Sequence, residues 1–260
     1  MTTKNKEIIK FIKHILKKIE PINKKINKSK LHFKNKSRLE VDPVTKFDLL
    51  IEKKIRETIK KKFPDHKIIG EEIKSKKTNS SFTWYVDPID GTKALLMGLS
   101  NWSNLIGLFD NSKSILSVAN FPALNKVYFA DKNNTYCKSD GKIKTLNLSK
   151  KNKLNKTIIA MNTMSTNKNI KVLKRIKKKF FLKITGADAL NYCLLCEGKI
   201  DVVIEYGLKK VDFYPLMRMI KNSGAVISDW KGKQKYKHGD VLVSSNKKLH
   251  SYFLKNILFN

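Results

Sequence analysis

Six consecutive residues, Asp87-Pro88-Ile89-Asp90-Gly91-Thr92, offer the most specific chemistry in the 260-residue chain. They follow the apolar run 82–86, which reads as a buried strand, so the two acids are expected at its C-terminal end. Pro88 restricts the backbone between them. Two carboxylates in a tight turn repel unless a cation bridges them. Oxygen ligands with no His or Cys nearby select a hard ion, Mg²⁺ or Mn²⁺, and the Ile89 carbonyl can add another oxygen. Gly91 lets a ligand come close to the backbone. Thr92 opens a short predicted helix to Met97, whose first N–H groups suit phosphate oxygens. A hard cation beside a phosphate cradle suggests phosphoryl transfer to water. A simple turn is the competing explanation, because Asp-Pro and Asp-Gly are common turn dipeptides.

The composition around this segment favours chemistry. The chain carries 55 Lys+Arg against 22 Asp+Glu, a formal charge of +33. Only Arg38, Arg56, Arg175 and Arg218 are arginines; the other 51 bases are lysines. Residues 81–109 contain a single lysine, Lys93. A net charge of this size suits nucleic acid or an anionic membrane. Scarce arginine argues against that partner, since phosphate and guanine contacts favour the guanidinium fork. A coding bias that enriches Lys, Asn and Ile together accounts for the charge better, so no specific nucleic acid and no membrane is expected. No apolar run reaches the ~18 residues of a membrane span, and the lysine-studded start is not a secretory signal. Three cysteines build no disulfide framework. A cytoplasmic globular protein is the expected class. Cys193 and Cys196 lie on an apolar helix and read as core, and the five histidines lack metal spacing.

The elements that must position the acids follow from periodicity. Residues 5–28 read as a helix with Ile8, Ile9, Ile12, Ile15, Leu16 and Ile19 on one face. Residues 29–43 read as a loop or hairpin. A second helix is expected from Val44 to Phe63, with Leu49, Ile55 and Ile59 inward, ended by Pro64. Short strands are expected at 67–70, 82–86, 103–109, 115–121 and 126–130. A Lys- and Asn-rich connector at 148–156 divides an N-terminal part, 1–150, from a C-terminal part, 151–260. In the latter, strands at 157–161, 181–185, 201–206, 225–228 and 241–244 alternate with helices at 168–178, 187–198 and 212–222 and a short C-terminal one. Such alternation implies helices layered on sheets.

Four pieces in order resemble the inositol monophosphatase family of Mg²⁺-dependent, lithium-sensitive phosphatases. Thr45 to Asp48 is similar to its Thr-x-x-Asp element. Gly70-Glu71-Glu72 is similar to its Gly-Glu-Glu element. Residues 87–92 match its metal motif, and Val211-Asp212 with Gly224-Ala225-Val226 resembles its second motif. The run Asp90 to Ala94, Gly98-Leu99, Trp102 and Leu105 to Leu108, together with Gly186-Ala187-Asp188, is most similar to the histidinol-phosphatase branch.

The resemblance implies a layered αβαβα sandwich of the inositol monophosphatase and fructose-1,6-bisphosphatase type, and a homodimer. It implies two or three Mg²⁺ per site, with Mn²⁺ a possible substitute. Glu71, Asp87 and the Ile89 carbonyl would hold one ion; Asp87, Asp90 and Asp212 a second; Glu71 with Asp48 a third. Glu71 and Thr92 would orient and deprotonate the attacking water, Asp48 assisting. Gly91 and Thr92 would receive the phosphate, and Asp188 and Glu205 would line the substrate rim. The substrate implied first is L-histidinol phosphate; inositol 1-phosphate or a nucleotide 3′,5′-bisphosphate comes second. A basic nucleic-acid-binding protein on a retired phosphatase scaffold is the remote alternative. Each acid also has a plain local explanation: Asp48 a first-turn helix acid, Asp212 and Asp188 helix caps, Glu205 a strand-end acid, and Glu72 a surface glutamate.

Overall fold

The computed structural model describes residues 3–26, 29–36, 43–148, 156–162, 167–176, 180, 182–236 and 238–258. At residues 3–6, 167–169, 173 and 182–185 only the backbone is described. Most of the expected connector, 149–155, lies outside these residues.

The chain opens with α1 (Thr3–Ile26), whose Phe11, Ile12, Ile15, Ile19 and Ile26 are buried. Strands β1 (Phe33–Asn35) and β2 (Pro43–Thr45) pair antiparallel, as a hairpin reading requires. Helix α2 (Lys46–Lys62) follows. Its inward stripe is Phe47, Ile51, Ile55 and Ile59, four apart. Leu49, expected inward, is instead 49% exposed, because two residues past Phe47 it lies some 200° around the helix.

Strands β3 (Lys67–Gly70), β4 (Phe82–Asp90), β5 (Ser103–Asp110), β6 (Lys113–Phe121), β7 (Lys126–Ala130), β8 (Thr135–Ser139) and β9 (Lys142–Leu146) form one sheet in that order. The pairing is antiparallel from β4 onward, and β3 runs parallel to β4. Helix α3 (Thr92–Leu96) follows β4. A second sheet has the order β11 (Leu182–Thr185), β10 (Ile158–Met161), β12 (Val202–Glu205), β14 (Val241–Ser244) and β13 (Val226–Ser228). Its helices are α4 (Asn167–Ile176), α5 (Asp188–Cys196), α6 (Lys210–Phe213), α7 (Met217–Asn222) and α8 (Lys247–Phe253). The single helix expected over 212–222 is broken. Pro215 has no N–H to donate back to residue 211, and a 3₁₀ turn at 214–216 separates α6 from α7.

Strand residues alternate between two cores, so both sheets are covered on both faces. Trp84 and Val86 of β4, with Ile106 and Leu108 of β5, pack under α1 and α2. Tyr85, Leu105 and Phe109 face the other way and share one core with Tyr192 of α5, Phe213 of α6, Met219 of α7 and Val203 of β12. Val202 and Ile204 turn outward to meet Val172 and Ile176 of α4 and Leu249 and Phe253 of α8. The order is helix pair, sheet, central helices, sheet, helix pair, which is the αβαβα arrangement the resemblance implied. Cys193 and Cys196 are fully buried in the central core with free thiols. Among the described residues no helix is long and apolar enough to cross a membrane.

Candidate active site

The two acids of the hexapeptide do not sit in a turn beyond a strand. Strand β4 runs through both of them and ends at Asp90. Opposite it, Asp87 pairs with Leu105 and Asp90 with Ser103, so three steps on one strand face two on the other. That extra residue is a bulge. In a regular strand, residues three apart point to opposite faces. The bulge cancels the odd step and brings both carboxylates to the face shared with Tyr85, toward the central helices.

A buried amide cluster props the bulge from behind. Asn104 Nδ2 donates to the Pro88 carbonyl at 2.7 Å. Asn23 of α1 and Asn120 of β6 donate to Asn104 Oδ1 at 2.9 and 2.7 Å. Gly91 then takes a left-handed φ of +80°, and a Cβ there would lie 2.9 Å from Asp188 Oδ2. Thr92 begins α3 and donates its hydroxyl to the Ile89 carbonyl at 2.9 Å.

The remaining five acids arrive from five other places in the chain. Asp48 is the third residue of α2. Its Oδ2 accepts the Thr45 N–H at 2.8 Å and the Thr45 hydroxyl at 2.6 Å, while its buried Oδ1 has no partner among the described residues. Glu71 follows β3, and its N–H donates to the Val86 carbonyl at 3.2 Å. Asp212 is the third residue of α6, not its cap, and accepts the Lys209 N–H at 2.7 Å. Asp188 begins α5 with a left-handed φ of +45°. It does not cap that helix by a side-chain bond. Instead the Ala189 N–H donates to Asp90 Oδ2 at 3.0 Å, so the start of α5 is tied to the bulge. Glu205 ends β12 and accepts the Tyr192 hydroxyl at 2.6 Å, its other oxygen buried and without a partner among the described residues.

These groups raise one another's proton affinity. Burial pushes the Asp87 carboxyl well above the usual carboxylate range, and the charges of Glu71, Asp90 and Asp212 push it further. Asp90 is raised likewise by burial and by Asp188, against which the Ala189 N–H acts. Burial, then Glu71, lifts Asp212 to about 7. Burial lifts Glu205 to about 8 despite the Tyr192 bond. Burial also raises Asp48, Thr45 opposing, and raises Asp188, Lys93 opposing. Glu71 alone of this set is held low: burial raises it, but Lys209 and Lys36 outweigh that.

The lysines decide how a cation fits. Lys36 and Lys209 each place Nζ 3.0 Å from Glu71 Oε1, and Lys36 also reaches Glu72 at 2.8 Å. Two ammonium groups therefore stand in for a cation at Glu71. As they stand, no three His, Cys, Asp or Glu side chains among the described residues are gathered closely enough to hold an ion. The donor set nonetheless suits a hard cation: carboxylates only, several destabilised as anions, with Asp87 Oδ1 buried and without a partner among the described residues. A divalent ion shared with Asp87 would take the place of the lysines at Glu71.

Sequence reasoning missed several participants. Glu72 is not a plain surface acid: its side chain is 5% exposed and paired with Lys36. Lys36, Lys209, Asn104, Tyr192 and the fully buried Glu52 were also passed over. Glu52 alone had a signal, standing four residues after Asp48 on the same helical face.

Comparison with known proteins shows the family and the fold. The model of the inositol monophosphatase family matches residues 3–259. The bifunctional phosphatase IMPL2 of Arabidopsis thaliana is 32% identical over 198 residues, 75% of this chain but 57% of that longer protein. The histidinol-phosphatase of Mycobacterium tuberculosis is 26% identical over 84% of this chain and 85% of its own. The fructose-1,6-bisphosphatase/inositol-1-monophosphatase of Aquifex aeolicus is 27% identical over 83% and 82%. In fold, the chain superposes with a TM-score of 0.88 on an IMPase/NADP phosphatase complexed with Mg²⁺ and phosphate, at 22% identity over 99% and 97% of the two chains. With the family model spanning nearly every residue, the chain belongs to the inositol monophosphatase family.

Proposed function

We propose that this protein is a Mg²⁺-dependent phosphomonoester hydrolase that acts on L-histidinol phosphate. The observation that carries the substrate is a pair of acids, Asp188 at the site and Glu205, which is buried behind it rather than on the rim. Asp188 meets Gly91 where the phosphate would sit, and Glu205 has one oxygen without a partner among the described residues. Histidinol carries an amine and an imidazole, both able to be cations. A cation beside Glu205 would draw its pKa down from about 8 and hold it as an anion. The relative named histidinol-phosphatase points the same way.

In this reading Glu71, Asp87, the Ile89 carbonyl, Asp90 and Asp212 hold the metal ions, with Asp48 beside Glu71. Mg²⁺, or Mn²⁺ in its place, supplies neutralisation of phosphate charge and a more acidic water. Glu71 accepts the proton of the attacking water, and the Thr92 hydroxyl orients that water from its seat on Ile89. Gly91 and the first N–H groups of α3 receive the phosphate oxygens. Residues 1–150 thus bring most metal ligands, and 151–260 bring Asp212, Asp188 and Glu205. We further propose a cytoplasmic homodimer.

A second reading has a specific basis in the relative named fructose-1,6-bisphosphatase/inositol-1-monophosphatase. The deciding assay offers the purified protein with Mg²⁺ four substrates: histidinol phosphate, inositol 1-phosphate, adenosine 3′,5′-bisphosphate and fructose 1,6-bisphosphate. The expected result is the highest kcat/KM for histidinol phosphate. Equal or better turnover of another ester rejects the substrate, and no turnover of any rejects the activity.

A further inference from the structure

In a chain that uses lysine almost everywhere, the places that keep arginine are informative. Three of the four arginines lie among the described residues, and each donates to backbone carbonyls where elements meet. Arg175 reaches Ile257 O at 2.6 Å. Arg218 reaches Asp131 O and Ser114 O at 3.1 and 3.4 Å. Arg56 reaches Ile68 O and Ile73 O at 3.4 and 2.5 Å. Lysine, a point charge on a flexible stem, cannot make such a fork.

Arg56 differs from the other two because its fork includes a buried acid. Its Nε donates to Glu52 Oε1 at 2.7 Å, and Glu52 is fully buried. Glu52 Oε1 accepts the Ile73 N–H at 3.1 Å, and Oε2 accepts the Glu72 N–H at 2.7 Å. Gly70 makes room: a Cβ there would lie 1.9 Å from Glu52 Oε1. Four polar contacts from one helix turn, braced by the Arg56–Glu52 pair, therefore clamp residues 68–73, and Glu71 sits in the middle of that segment. Its own N–H is tied to β4. The loop that presents Glu71 is fixed on both sides, while its carboxylate stays free to exchange lysine for another cation.

We propose that Glu52 and Arg56 are positioning residues, a latch that holds Glu71 where a divalent cation can be shared with Asp87. This rests on the metal-dependent reading above. Neither residue touches substrate or reacting atoms. Outer partners that orient a metal ligand are worth about 10–100-fold in metal affinity.

The test uses the full chain and Mn²⁺ as the probe, with binding followed by the electron paramagnetic resonance of free ion and by calorimetry. Three variants perturb the latch differently: Arg56→Lys keeps charge but loses the fork, Glu52→Gln keeps shape but loses charge, and Gly70→Ala pushes on Glu52. Glu57→Gln, exposed and paired with Lys54, is the control. The expected result is Mn²⁺ affinity about tenfold or more weaker in all three and unchanged in the control. The Mg²⁺ needed for half-activity should rise in step, with kcat at saturating Mg²⁺ within about twofold. The Glu72 and Ile73 amides should exchange faster with solvent. A folded Arg56→Lys protein that binds Mn²⁺ like the wild type overturns the latch, as does loss of fold in all three variants. A wild-type protein that binds no Mn²⁺ overturns the metal-dependent reading itself.

Discussion

Two helix starts, one from each half of the molecule, place an aspartate by the same local device with different consequences. Asp48 in α2 and Asp212 in α6 are both third residues that accept the N–H three positions earlier. Asp48 takes a second donor, the Thr45 hydroxyl, and heads a 17-residue helix. Asp212 has that single N–H, heads a four-residue helix cut short by Pro215, and lies in the field of Glu71 and Asp188. Both aspartates feel the charge of Glu71, but Asp48 carries two donors to its cap and Asp212 only one. A capping role and a ligand role are compatible because a carboxylate has two oxygens.

The comparison can be broken most sharply at the bulge and at Asp212. Asp90→Asn and Asp212→Asn should each lower kcat by about 10²–10³-fold or more while the circular dichroism spectrum stays unchanged; near-normal rates in steady-state assays would remove the metal assignment. Asp48→Asn should lose clearly less activity than Asp212→Asn, and the reverse order would mean that the two helix starts have been assigned the wrong way round.

Stability should rank the pair oppositely. Asp48→Ala removes a cap that serves a long helix and should cost about 1 kcal/mol in metal-free urea unfolding. Asp212→Ala should cost less, since it also relieves repulsion among Glu71, Asp90 and Asp188.

The pH dependence has a definite sign. Asp212 and Glu205 hold protons up to about 7 and 8 in the folded chain, whereas unfolded carboxyls lose them near 4. Between those limits the folded state binds more protons, so metal-free stability falls as pH rises from about 4 to about 8. Mg²⁺ binding should release protons over the same range, measurable by calorimetry in buffers of different ionisation heat. A flat metal-free profile would mean these acids are not coupled as described. The smallest expected effect is a rise in KM of a few-fold at high salt, as the surrounding positive field is screened.

Much of the molecule was legible in the chain. Strands of four to nine residues with apolar positions on both faces announced covered sheets, and the helical stripes of α1 and α2 marked the outer layer, Leu49 excepted. Asp87 and Asp90 stood out because lysine is nearly absent around them, whereas Glu71 and Asp212 stood out only through the resemblance to the family's motifs. Asn104 was not legible as a site element, and Glu52 was marked only by its place four residues after Asp48. Each acts on backbone groups brought close only by the fold, Glu52 on residues 72 and 73 and Asn104 on Pro88.

The sequence by itself determined the donor chemistry: carboxylates, a flexible glycine and a hydroxyl in six residues, with lysine kept out of the surrounding stretch. Residue type sets charge and ligand hardness whatever the fold. Only the tertiary structure decided that Asp87 and Asp90 share a face, because their odd spacing would part them in a regular strand and only pairing against Leu105 and Ser103 creates the bulge. It likewise brought Asp188 and Asp212 to them from the central helices and Glu205 from the second sheet, a proximity set by packing across a shared core rather than by spacing along the chain.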